Sequence, residues 1–261
     1  MPALLKRNFL LQKIKETSKP CVGTWITIPS ITAVEVISSS KLDFVVIDME
    51  HAPIELETAQ LMTLAAEAWG VSPILRVPGE DQRGIARALE LGIHGLQIPN
   101  IDSVDSLERC IAAAKYHPRG SKGLSPFTRA CNYSADNASR MVKLANSNNM
   151  VIAQVEGRLG LENLDAILKV KDVDIIFLGL FDLSNYLGIP GQLDNSRLKG
   201  LFRSLVAKID DAGFVVGSIS NTLEQLDFLI ASGVRYITHS ADCHILGESY
   251  RKVIQSVRKI I

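Results

Sequence analysis

The chain has 261 residues, 47% hydrophobic and 21% charged, which is enough apolar content to bury a large core and too much for a disordered polypeptide. Lys plus Arg equals Asp plus Glu at 28 each, so charge gives no reason to expect nucleic acid or an anionic membrane surface as a partner, and a zero balance suits an oligomer better than a lone protomer. Cys21, Cys110, Cys131 and Cys243 never form a C-x-x-C pair, a pattern that suits a reducing cytoplasm rather than a disulfide framework.

In chain order, residues 1–20 come first. Their apolar stretch is broken by Lys6, Arg7, Lys13 and Lys15, and it lacks the uninterrupted core and small-residue cleavage site of a signal peptide. An amphipathic helix capping one end of the fold is expected there, with a transit peptide as the weaker alternative. Eight short apolar runs follow, at 22–27, 44–48, 73–76, 95–99, 151–155, 174–179, 214–218 and 235–239. Most are continuous rather than alternating, as parallel strands buried on both faces should be. Helical spacing fills the intervals at 31–39, 57–67, 83–91, 104–115, 138–146, 163–168, 197–212, 223–232 and 244–260. Gly70, Gly92, Gly213 and Gly233 stand where such helices end.

Eight strand–helix units in a chain of about this length favour an α/β fold of the (β/α)8 TIM-barrel type. The expectation is a single domain over 1–261, with residues 1–20 as an N-terminal capping helix and 243–261 as a C-terminal helix. No G-x-G-x-x-G or G-x-x-x-x-G-K-[ST] motif supports a nucleotide-binding open sheet. No apolar run reaches the roughly 18–20 residues of a membrane span. One connection, 100–149, is unusually long and carries the polar run HPRGSKGLSPFTRACNYSADNAS. Such a stretch in a compact domain is usually an active-site or subunit-contact loop.

Working residues in such barrels sit at the C-terminal ends of strands. Glu156 and Asp182 follow strands five and six, neighbours about 4.8 Å apart in a singly wound barrel. Two carboxylates so placed repel unless a cation joins them, and oxygen ligands with open positions suit Mg²⁺ or Mn²⁺. Helix caps or surface ion pairs explain them equally well from spacing alone. Asp48 and His51, three residues apart, form a candidate orienting acid and proton-transfer base, against a plain structural hydrogen bond; Glu50 is an alternative orienter. Arg76 ends strand three, where its fork could meet a substrate carboxylate or oxyanion, or else pair with Asp48 or Glu50. Trp25 is a candidate pocket wall or an ordinary core residue. Arg129, in the long loop, could reach substrate or a neighbouring subunit. No lysine ends a strand, which argues against a Schiff-base aldolase.

The segments GTW at 23–25, VVIDMEHAP at 45–53, LRVPG at 75–79, AQVEG at 153–157 and DIIFLGLFDLSNYLGIPG at 174–191 resemble, in content and order, the HpcH/HpaI family of class II 2-oxo acid aldolases. The resemblance runs from about Gly23 to Asp242. It implies a (β/α)8 barrel, a trimer or hexamer with the last helix exchanged between partners, and a metal held by Glu156 and Asp182. It also implies catalytic roles for Asp48, His51 and Arg76. Substrate would be bound by Arg76, Gln154 and the backbone N–H groups of Phe181 and Asp182. Three departures stand out. Gly179-Leu180 replaces the family's Gly-Pro, Glu90 replaces an Asp that lines a neighbouring subunit's site, and Ser125-Pro126-Phe127 replaces loop glycines.

The implied activity is metal-dependent cleavage of a 4-hydroxy-2-oxo acid to pyruvate and an aldehyde, or the reverse, in the cytoplasm. The metal would be Mg²⁺ or Mn²⁺, with Co²⁺ or Zn²⁺ as alternatives. The partners would be the 2-oxo acid, the aldehyde and further copies of the chain, with no nucleic acid or membrane. Glu90 and Arg129 are the candidate inter-subunit residues. The alternative readings are an acyl-CoA lyase of the citrate-lyase β type and a non-catalytic metabolite-binding barrel.

Overall fold

Eight parallel strands, each bonded to the next in sequence and the last to the first, close a barrel in the computed structural model, which describes residues 8–136 and 138–261. They are β1 (Cys21–Ile26), β2 (Phe44–Asp48), β3 (Ser72–Arg76), β4 (Gly95–Ile98), β5 (Met150–Val155), β6 (Ile175–Leu178), β7 (Val215–Ser220) and β8 (Tyr236–Ala241). Each lies within two residues of an expected apolar run. Cys21 of β1 stands opposite Tyr236 of β8 and completes the ring. Closure explains the continuous apolar runs: every residue of β2 to β6 is buried, one face by the barrel interior and the other by helices.

The surrounding helices are α1 (Phe9–Glu16), α2 (Ile31–Ser38), α3 (Leu56–Ala68), α4 (Gln82–Glu90), α5 (Val104–Ala114) and α6 (Ala138–Asn148), then α7 (Gly157–Glu162), α8 (Leu164–Ile167), α9 (Leu180–Tyr186), α10 (Ser196–Asp211), α11 (Leu223–Ala231) and α12 (Asp242–Val257). Several start where a short polar side chain takes an otherwise unpaired N–H: Ser30, Asp81, Ser103, Asn195 and Thr222 each do so. Helices α7 and α9 were not expected. At six and seven residues they are too short to show a periodic stripe.

The core has two layers. One lies between strands and helices. The other fills the barrel, where Phe44 stacks on Tyr236 at 4.1 Å and Phe177 meets Tyr236 edge-on. Gly23 and Gly217 make room for these rings, because a Cβ on either would collide with them. From below, α1 inserts Leu10, Leu11 and Ile14 into the inner layer. Asn8 caps α1 and donates to the carbonyls of His94 and Asn148, while Lys13 and Lys15 pair with Asp43 and Asp174 beside the strand bases. Residues 1–7 of the expected capping segment lie outside the described residues.

The eighth unit is different. Asp242 is buried, accepting from the Thr27 N–H and hydroxyl at 2.9 and 2.7 Å and from the Ile28 N–H at 3.0 Å. It is the only buried residue of α12. Beyond it Tyr250, Val253, Ile254 and Val257 are exposed. Between α2 and α11 an apolar cavity of about 690 Å³ lies open, lined by Val36, Ile37, Leu226, His239, Ile245 and Leu246. No described helix is long and apolar enough to cross a membrane.

Phe44→Ala should destabilise the fold by about 3–5 kcal/mol, because the ring is fully buried in the inner layer and its neighbours are fixed by strand register. Chemical denaturation followed by circular dichroism measures this; a loss below about 1 kcal/mol would mean the inner layer is not close-packed.

Candidate active site

The strand ends β1, β2, β3, β5 and β6 border a cavity of about 240 Å³ whose wall includes Trp25, Asp48, Arg76, Gln154, Glu156 and Asp182. Register assembles it. Asp48 lies directly opposite Arg76, and Val155 opposite Leu178, so Glu156 and Gly179 leave the sheet side by side. Gly179 is the residue before α9, and Asp182 falls in that helix's first turn.

Glu156 and Asp182 converge on one point. A Cβ placed on Gly179 would stand 2.9 Å from Asp182 Oδ2 and 3.3 Å from Glu156 Oε2. Burial, the Asp182 charge and the Glu50 charge push the Glu156 carboxyl above its ordinary value, against the pull of two hydrogen bonds. Those bonds come from Gln154 Nε2 to Oε2 at 2.6 Å and from the Asn100 N–H to Oε1 at 3.1 Å. No basic side chain pairs with Glu156 or Asp182 among the described ion pairs. A divalent cation fits this donor set: two carboxylate oxygens, like charges brought together at the cavity wall, and space held open by a glycine. Among the described residues no cluster of three or more His, Cys, Asp or Glu forms a cage, so such an ion would keep open positions for substrate and water.

Arg76 is the cavity's cation, and it is already spoken for. Its Nε and Nη2 donate to Asp48 at 2.9 and 2.7 Å, and Nη1 lies 3.1 Å from Glu50. It also stacks 4.2 Å over the Trp25 ring. Trp25 is held from behind, its indole N–H donating to Thr238 Oγ1 at 2.9 Å.

The pairing of Asp48 with His51 needs correction. The Asp48 carboxylate turns across the sheet to Arg76, and it meets His51 only through that residue's backbone N–H at 3.3 Å. The imidazole stands at the rim, 70% exposed, with Glu50 as the nearer acid at 3.8 Å. Phe181 is also at the rim, half exposed.

Arg129 does not reach the cavity or the surface. It is buried, pairs with Glu67 and donates to the Leu91 carbonyl at 2.7 Å, so it clamps the long loop onto the end of α4. His94 shares Glu67, and these bonds hold that carboxyl below its usual range despite burial. Glu90 pairs with Lys122 of the same chain, although its Oε2 is buried with no hydrogen-bond partner.

Sequence reasoning passed over Gln97, Asn100 and Thr238. Gln97 is a lone amide inside the apolar run GLQIP, and Asn100 follows Pro99 with a left-handed φ of 57°. Each could have been flagged as a polar residue where a core residue or an ordinary turn was due.

The profile of the HpcH/HpaI aldolase/citrate lyase family matches residues 22–247. A hydroxypyruvate/pyruvate aldolase of Paraburkholderia phytofirmans is 29% identical over 257 residues, covering 96% of this chain and 98% of its own. A Deinococcus radiodurans protein of the same description is 29% identical, covering 99% and 94%. Among solved structures, an HpcH/HpaI aldolase/citrate lyase family protein from Burkholderia cenocepacia superposes with a TM-score of 0.89 at 28% identity, covering 96% of this chain and 99% of that one.

Gly179→Ala should fold normally, since a φ of −81° is open to any residue, yet lose divalent-ion binding by roughly 10-fold or more as the methyl group pushes the carboxylates apart. Titration with Mn²⁺ beside a thermal melt checks both halves; undiminished binding would show that the carboxylates do not need that gap.

Proposed function

As this chain belongs to the HpcH/HpaI aldolase/citrate lyase family, we propose that it cleaves a 4-hydroxy-2-oxo acid to pyruvate or hydroxypyruvate and a small aldehyde, and joins them in the reverse direction. The chain is an aldolase, a carbon–carbon lyase; substrate and residue roles are the proposal. One observation carries it: a half-buried carboxylate, Glu156, and an exposed one, Asp182, meet over a bare α-carbon with no basic side chain paired to either among the described residues. Glu156 and Asp182 hold the ion, Mg²⁺ or Mn²⁺ before Co²⁺ or Zn²⁺, because hard oxygen donors and open positions favour the first two. When bound, the ion supplies Lewis acidity that eases carbanion formation beside the 2-oxo group.

The chain's own groups do the rest. Gln154 and the N–H groups of Phe181 and Asp182, unpaired at the start of α9, hold the substrate carboxylate. Arg76 places positive charge where the oxygen at C2 becomes negative. Asp48 and Glu50 fix that guanidinium, and Trp25 supports its face. His51, at the rim, takes the proton of the C4 hydroxyl. The C3–C4 bond then breaks, its electrons pass to C3, the aldehyde leaves, and C3 is protonated. The same steps reversed make the bond.

The acyl-CoA alternative is disfavoured by the long loop. Arg119, Lys122 and Arg129 pair with Asp172, Glu90 and Glu67, so they form no free basic cluster for a nucleotide tail. A purely binding barrel leaves the converging, mutually repelling carboxylates without a use. The free thiols of Cys21, Cys110, Cys131 and Cys243 fit a reducing cytoplasm.

The eighth unit supports a homo-oligomer, a trimer or hexamer, in which α12 is exchanged. Among the described residues its apolar side chains Tyr250, Val253, Ile254 and Val257 are exposed, and an apolar groove lies between α2 and α11. Glu90 is the remaining candidate contact with a neighbouring site, through its unpaired Oε2.

Chelation should abolish turnover and the exchange of deuterium into the methyl group of pyruvate, and Mg²⁺ or Mn²⁺ should restore both; exchange that survives chelation rules out the metal mechanism. Arg76→Ala should lower kcat about 10²–10³-fold, whereas a change confined to KM would assign Arg76 to binding alone. Val253→Asp with Ile254→Asp should reduce the native mass measured by light scattering; an unchanged mass would remove the exchange of α12.

A further inference from the structure

Strand β4 supplies no candidate ligand and no acid or base, yet it carries Gln97, fully buried inside the barrel. Its Nε2 donates to Gln154 Oε1 at 2.7 Å, and Gln154 Nε2 donates in turn to Glu156 Oε2 at 2.6 Å. Gln97 Oε1 has no hydrogen-bond partner. We propose that Gln97 is a positioning residue: by donating to Gln154 it fixes which end of that amide faces Glu156, and so sets how tightly the carboxylate pair holds a divalent cation. The inference rests on reading Glu156 and Asp182 as the metal ligands.

An amide pair of this kind can run in two directions. In the observed one, a proton lies between Gln154 and the carboxylate. In the other, Gln97 accepts from Gln154, and the Gln154 carbonyl faces a carboxylate oxygen with no proton between them. Charge on Glu156 selects the first direction, and Gln97 locks it. In either direction the far end of the Gln97 amide stays unpaired. A methionine or leucine would fill the same space without burying an orphan, so the amide serves something other than packing. The second oxygen of Glu156 is also held from this strand's exit, by the Asn100 N–H, while Asn100 Nδ2 donates to Glu50 at 3.2 Å. Without the Gln97 donor, the Gln154 carboxamide can turn its carbonyl to Glu156, and the carboxylate loses its fixed orientation.

The test compares the wild-type chain with Gln97→Met, which keeps the volume and removes the donor, and with Gln97→Leu in parallel. In the metal-free state the variants should melt at the same temperature as the wild type or higher. Their Kd for Mn²⁺, read by calorimetric titration, should rise roughly 10- to 100-fold. Raising Mn²⁺ to saturation should recover most of the lost kcat. Unchanged Mn²⁺ affinity with a lowered melting temperature overturns the proposal and makes Gln97 a packing residue. Failure of both variants to fold overturns it in the same way. A wild-type chain that binds no Mn²⁺ would instead defeat the two-carboxylate reading itself.

Discussion

Two carboxylates brought together at the cavity wall, the half-buried Glu156 and the exposed Asp182, are the condition to which the rest of the site answers. Bringing like charges together is unfavourable, and a protein can relieve it with a proton, a basic side chain or a metal ion. Glu156 is the partner that registers the repulsion, its carboxyl pushed above its ordinary value by burial and the Asp182 charge. The basic side chain is withheld. Arg76 lines the same cavity, but Asp48 and Glu50 bind it from the other side. With Arg76 taken by Asp48 and Glu50, Glu156 and Asp182 are left without a basic partner among the described ion pairs, a deficit of positive charge that a divalent ion would supply. Amide donors can orient such a ligand without neutralising it, and amide donors are what Gln154 and Asn100 provide.

The barrel turns this local arrangement into a preformed site. Strand register, not loop geometry, places Asp48 beside Arg76 and Glu156 beside Gly179. Behind them Thr238 holds Trp25, Trp25 supports Arg76, and Phe177 meets Trp25 edge-on at 6.1 Å. Groups that would bind the 2-oxo acid therefore stand on strands or at their immediate ends. His51 and Phe181 stand at the exposed rim. The division suits an enzyme that keeps one half of its substrate constant and admits the other half from outside.

The strands were legible because burial on both faces forces a continuous apolar run, a pattern that survives without structural knowledge. The site was legible only as residue types. Spacing along the chain made Asp48 and His51 look like a pair, but the turn after β2 sends the imidazole outward while the carboxylate reaches across the sheet to Arg76. Contacts between strands are invisible to local spacing. Arg129 misled for the opposite reason: a long polar loop reads as exposed, yet its arginine is buried against Glu67 and a helix end. Lys115 shows that a perturbed group need not be catalytic. Burial lowers it to about 8, but its ammonium donates to the carbonyls of Asn146 and Asn149, away from the cavity, and acts as a structural clamp.

The open groove and the site share a wall. Thr27 lines the active cavity, and Asp242, the first residue of α12, accepts hydrogen bonds from both its N–H and its hydroxyl. Ala241, one residue earlier, lines the cavity as well. The direction in which α12 leaves the barrel is therefore set by the same bonds that tie the end of β8 to the loop after β1. Sent outward, α12 keeps those bonds and leaves its apolar face for another surface, and the groove across β1 and β8 is an apolar surface of that kind. The proposed exchange of α12 between copies would give each barrel an eighth helix without disturbing its own Asp242.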